Sequence, residues 1–75
     1  MTDADRERFA RVIAMMSETY KDTFLAPRAE LYFHSLRRFE IEDIEAALSI
    51  LLADPTRKFA PKPGNFVETI EKHFY

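Results

Sequence analysis

Large apolar residues recur along this 75-residue chain at three- and four-residue steps, the spacing that lines one face of an α-helix. Phe9, Val12, Ile13, Met16 and Tyr20 form a first stripe, with Arg6, Glu7, Arg8, Arg11 and Glu18 on the other side. Ala29, Tyr32, Phe33 and Leu36, together with Leu25, form a second. Pro27 suits the first turn of that helix, where its missing amide proton would have no partner in any case. A third stripe runs through Ile41, Ile44, Ala47, Leu48, Leu51 and Leu52, behind a first turn rich in carboxylates. Asp54-Pro55 stops it, because the residue before a proline avoids helical geometry. Phe66, Val67, Ile70 and Phe74 point inward from a final short helix that Pro63 can open. The pattern predicts helices over 3–20, 27–38, 41–54 and 64–73. The fold class expected is all-α, one domain over 1–75, a compact bundle of three long helices and one short C-terminal helix.

Three of the four prolines and the only glycine lie between Pro55 and Gly64, so a stiff connector precedes the last helix. Pro61 and Pro63 fix their own φ and push the residues before them toward extended backbone. This geometry presents Phe59 as an anchor to be buried against the third and fourth helices. On that reading Phe59→Ala costs roughly 3 kcal/mol or more.

Composition narrows the function classes. A domain this size buries only roughly 60% of the surface of its unfolded chain. With no cysteine, it has neither disulfides nor a thiolate metal cluster to brace it. The acidic start, Met1-Thr2-Asp3-Ala4-Asp5, lacks the positive charge of a signal peptide, and the apolar run 46–53 is far short of the roughly 20 residues that span a bilayer. A soluble cytoplasmic protein without membrane association is expected. Net charge is −2, so any attraction to nucleic acid must be local.

The chemistry-bearing residues favour structural explanations. Glu30 and His34 stand four apart on a helix and read as a solvated pair, since neither histidine sits in a zinc-type spacing. Ser17, Ser35 and Ser49 lie within helices and lack the strained turn of a nucleophile elbow. Glu40, Glu42, Asp43 and Glu45 complement the start of a helix and lack the flexible glycine-containing loop of a calcium site. One glycine cannot build a phosphate-cradling loop. No catalytic, metal or cofactor site is expected, and the chain reads as a non-enzyme.

Two surfaces remain. The basic residues Arg37 and Arg38, beside the first helix's arginines, and Arg57, Lys58 and Lys62 in the connector fall at opposite ends of an up-and-down bundle. They form a split basic patch for a possible nucleic-acid ligand. A helix-turn-helix reading would present four carboxylates to phosphate at the start of the third helix, and repulsion disfavours it. Apolar residues off the main stripes, Ile50 with Ala46 and Ala53, and also Met15 and Leu31, offer a partner surface instead. Asp43 and Asp54 flank the Ile50 patch.

The pattern Tyr32-x-x-x-Leu36, Phe39, Ile44-x-x-Ala47-Leu48 and Phe59-x-Pro61-x-Pro63-Gly64-x-Phe66 resembles the helical domain of the phage replicative-helicase loader/inhibitor family, over roughly residues 9–70. The resemblance implies a non-enzymatic protein that binds the replicative DNA helicase or its initiator during phage or prophage DNA replication. Family members typically join this domain to a flexible C-terminal tail that contacts helicase, and carry adjacent prolines where this chain has Pro61 and Pro63 apart. Weak self-association through the apolar patch fits the same reading. A small helical nucleic-acid-binding protein is the alternative.

Overall fold

A computed structural model describes residues 1–74. A 3₁₀ turn over Asp3–Asp5 leads into α1 (Arg6–Tyr20), followed by α2 (Ala26–Ser35), α3 (Ile41–Leu52) and α4 (Pro63–Phe74). No strand occurs among the described residues. The helices form a flattened body of 32 × 31 × 16 Å in which α3 is central, packed against α1 on one side and α4 on the other.

Local chemistry sets the boundaries. The Thr2 amide donates to Asp5 Oδ2 at 2.9 Å, fixing the entry to α1. At its far end Lys21 adopts a left-handed conformation (φ 52°, ψ 45°), and the Asp22 amide reaches back to the Ser17 carbonyl at 3.1 Å. The following turn is held by Arg28, which pairs with Asp22 at 3.1 Å and lies over the Phe24 ring. That contact holds the Asp22 carboxyl below its usual range.

The second helix stops three residues earlier than its periodicity implies. Leu36 leaves helical geometry (φ −107°, ψ 6°), and the Phe39 amide bonds the Leu36 carbonyl, a tighter i→i+3 closure that reverses the chain toward α3. Leu25, expected on the buried face, is exposed. It precedes the helix in an extended conformation, so helical periodicity does not govern its side chain. Phe74 is also exposed. It is the final residue of α4, and that helix's core contacts end at Ile70.

One core joins all four helices. Phe9 and Met16 of α1, Tyr32 and Phe33 of α2, Ile44, Ala47 and Leu51 of α3, and Phe66 and Ile70 of α4 all lie within it. Phe9 meets Phe33 edge to face with centroids 5.4 Å apart. The expected short fourth helix is 12 residues long, equal to α3, and the 10-residue α2 is the shortest. Helix α4 exceeds the expected 64–73 by one residue at each end, and its N-terminus explains the first of these. Pro63 occupies the first helical position, and Asn65 Oδ1 accepts the Lys62 amide at 2.8 Å, a reciprocal cap that lets the helix begin directly after the connector.

Candidate functional site

The connector, residues 53–62, departs most from expectation. Phe59 is not an anchor: 81% of it is exposed. Pro61 is fully buried instead, and its carbonyl accepts the Tyr32 hydroxyl proton at 2.8 Å. A bend at Phe59 breaks the extended alternation that would have turned it to the same side as Pro61. Phe66 and Ile70 supply the buried side chains of α4 instead.

The rest of the connector is also fixed. Asp54 Oδ1 accepts both the Thr56 amide (2.9 Å) and the Thr56 hydroxyl (2.7 Å), which closes the turn after α3 and lowers the Asp54 pKa. Asp54, Arg57, Lys58, Phe59, Lys62 and Asn65 line a concave surface between the end of α3 and the start of α4.

Charge pairing separates this surface from the others. Arg6 pairs with Glu30 at 2.6 Å, Arg8 binds Glu45 side-on through two nitrogens and reaches Glu42 at 3.2 Å, and Arg11 pairs with Glu7 at 3.3 Å. These pairs raise the pKa of Arg6 and Arg8. Glu30 also lies 3.4 Å from His34, so that expected pair is present, at the surface. Among the described residues, Arg37, Arg38, Arg57, Lys58, Lys62 and Lys72 pair with no carboxylate. Arg37 and Arg38 lie over the rings of Phe33 and Phe39 instead.

The basic residues fall in two separate groups. Met1 N donates to the Arg37 and Phe39 carbonyls at 2.6 Å each, which sets the start of α1 beside the end of α2. The connector lies at the opposite end of α3. The three connector cations share one concavity, whereas Arg37 and Arg38 are remote from it.

The apolar candidates do not converge either. Met15, 53% exposed, lines a trough between α1 and α3 with Val12 and Leu48, bordered by Arg8, Arg11, Glu45 and Ser49. Ile50, 37% exposed, lies outside this trough, with Ala46 half-buried and Ala53 exposed on the same outer face of α3. Leu31, 62% exposed, is on the face of α2 turned away from Tyr32 and Phe33. Sequence reasoning missed the trough, because it forms only where α1 and α3 meet. No group of three or more metal-ligating side chains occurs among the described residues, and no described helix is long and apolar enough to cross a membrane. No family model, curated protein or solved structure matches this chain.

Proposed function

We propose that this chain is a non-enzymatic protein-binding module, a phage or prophage DNA-replication accessory protein that contacts the replicative helicase or its initiator. The observation that carries the binding role is the α1–α3 trough. Its centre is apolar, formed by Val12, Met15 and Leu48, and its edge is the charged group Arg8, Arg11 and Glu45. An apolar centre inside a polar rim is the usual anatomy of a protein interface. Met15 suits the centre, since an unbranched thioether adapts its shape to a partner side chain.

On that rim Arg8 links α1 to α3 through Glu45 and Glu42. The assignment of the partner rests on the resemblance of the helical and proline pattern to the helicase loader/inhibitor domain. Purified helicase and initiator from the replication system that encodes the chain provide the test, by calorimetry without DNA. Binding that Met15→Glu weakens at least about tenfold supports the reading. Absence of binding to either protein overturns the assignment of the partner.

A further inference from the structure

We infer that the α3–α4 connector is a binding site for single-stranded nucleic acid, with Phe59 as a stacking platform and Arg57, Lys58 and Lys62 as phosphate contacts. The inference does not depend on the protein partner proposed above, because it uses a different surface.

Four observations converge on the site. Phe59 is the most exposed large apolar residue among the described residues, and the core does not use it. The cations on either side of it in sequence form no salt bridge among the described residues, in a molecule whose α1 arginines are all paired. The one carboxylate on the concave surface, Asp54, is turned to the Thr56 amide and hydroxyl and forms no salt bridge with the three cations, although its charge still acts on Arg57. Finally, Gly64 lies between the lining residues Lys62 and Asn65 in ordinary helical backbone without positive φ, and a Cβ there would meet nothing within 4 Å. Neither backbone geometry nor internal packing requires glycine at that position. The start of α4 is thus open beside Gly64; Pro63 has no N–H and the Asn65 and Phe66 amides bond the Lys62 carbonyl, so the Gly64 amide is the one first-turn donor left to meet a phosphate.

The chemistry selects a single strand over the other anionic partners. Phe59 is the one large apolar residue on a surface otherwise lined by polar and charged side chains and Ala60, too little for the apolar centre that a protein interface of roughly 800 Å² per partner needs. One unpaired base can cover one ring face without any such surround. A duplex hides its bases in the stack, and the connector has no helix or ribbon free to enter a groove. Preorganisation favours binding as well, because Pro61, Pro63, the Tyr32–Pro61 hydrogen bond and the Asp54 turn hold the loop before the ligand arrives.

Fluorescence anisotropy with a labelled oligothymidylate of about ten nucleotides tests the site. The expected Kd is on the order of 10–100 µM at low salt, with log K falling against log salt at a slope of about −2 for three phosphate contacts. Phe59→Ala should weaken binding about tenfold with the slope unchanged, and Lys62→Gln should flatten the slope by about 0.7. Gly64→Ala is the most discriminating variant: it should raise the melting temperature by a few degrees and still weaken binding. Failure of the oligonucleotide to bind at low salt overturns the inference. So does equal binding by a duplex of the same length, full displacement by an acidic peptide at equal charge, or wild-type affinity in Phe59→Ala.

Discussion

Replacing Tyr32 with phenylalanine removes a single oxygen atom and tests what holds the connector. The ring stays in place, still edge to face with Phe24 at a centroid distance of 5.3 Å. What is lost is the 2.8 Å hydrogen bond to the Pro61 carbonyl, between two residues that are both buried. The remaining carbonyl has no access to bulk water. Leaving a buried acceptor without its donor costs about 1–3 kcal/mol, more than the roughly 1 kcal/mol net value of an average hydrogen bond. A 75-residue domain has about 4–11 kcal/mol of total stability, so the loss is a large share. At about 1.5 kcal/mol, and 4–8 °C per kcal/mol for a domain of this size, the melting temperature should fall by about 6–12 °C. Thermal and urea unfolding followed by circular dichroism measure it, with an unchanged urea m-value expected because the same surface is exposed on unfolding. A fall of less than about 2 °C would refute the view that this bond anchors the connector.

The contrasting variants follow from the same burial pattern. Phe59→Ala should change stability by no more than about 0.5 kcal/mol, whereas Phe66→Ala should cost about 3–5 kcal/mol, both read from urea midpoints. Ile50→Asp should leave a cooperative unfolding transition, whereas Leu51→Asp, one position along in α3, should abolish folding by placing a charge in the core. The Asp22 carboxyl, held below the ordinary aspartate value near 3.8 by its hydrogen bond from Arg28, should titrate higher in Arg28→Ala, as read from its side-chain ¹³C shift. The sign follows from the depressed folded value. The unfolded chain protonates first, so the Asp22 contribution is present above about pH 3.8 and is lost as pH falls through the folded pKa.

Helical periodicity made most of the fold legible. Phe9, Val12, Ile13 and Met16, then Tyr32, Phe33 and Leu36, then Ile44, Ala47, Leu48 and Leu51 were all assigned to buried faces and are buried. Those assignments succeed because a side chain inside a helix has its direction set by its number in the repeat. The same rule explains the failures. Leu25 stands before its helix, and Phe59 lies in a segment where a bend, rather than a repeat, decides direction. Prolines restrict the backbone of the connector, but that restriction does not say which residue faces the core. Tyr32 and Pro61 are 29 positions apart, and no local signal links a tyrosine in one helix to a carbonyl in that loop.

For the candidate surfaces, the sequence supplied the charges but not their pairing. Arg6, Arg8 and Arg11 look in sequence like the arginines at the end of α2 or in the connector. Tertiary structure separates them by setting Glu30 opposite Arg6 and Glu42 and Glu45 opposite Arg8, while Glu7 sits one turn from Arg11. A cation already paired with a carboxylate must give up that partner to bind phosphate, whereas the exposed Lys58 and Lys62 need only shed water and counterions, and half-buried Arg57 has a buried Nε without a hydrogen-bond partner. The acidic first turn of α3, which weighs against DNA when the chain is taken as a line, works in favour of a local site once folded. Through Glu42 and Glu45 it neutralises Arg8, and the unpaired arginines and lysines that remain include Arg37 and Arg38 before α3 and a second group, Arg57, Lys58 and Lys62, past its far end, around an aromatic ring that the core does not use.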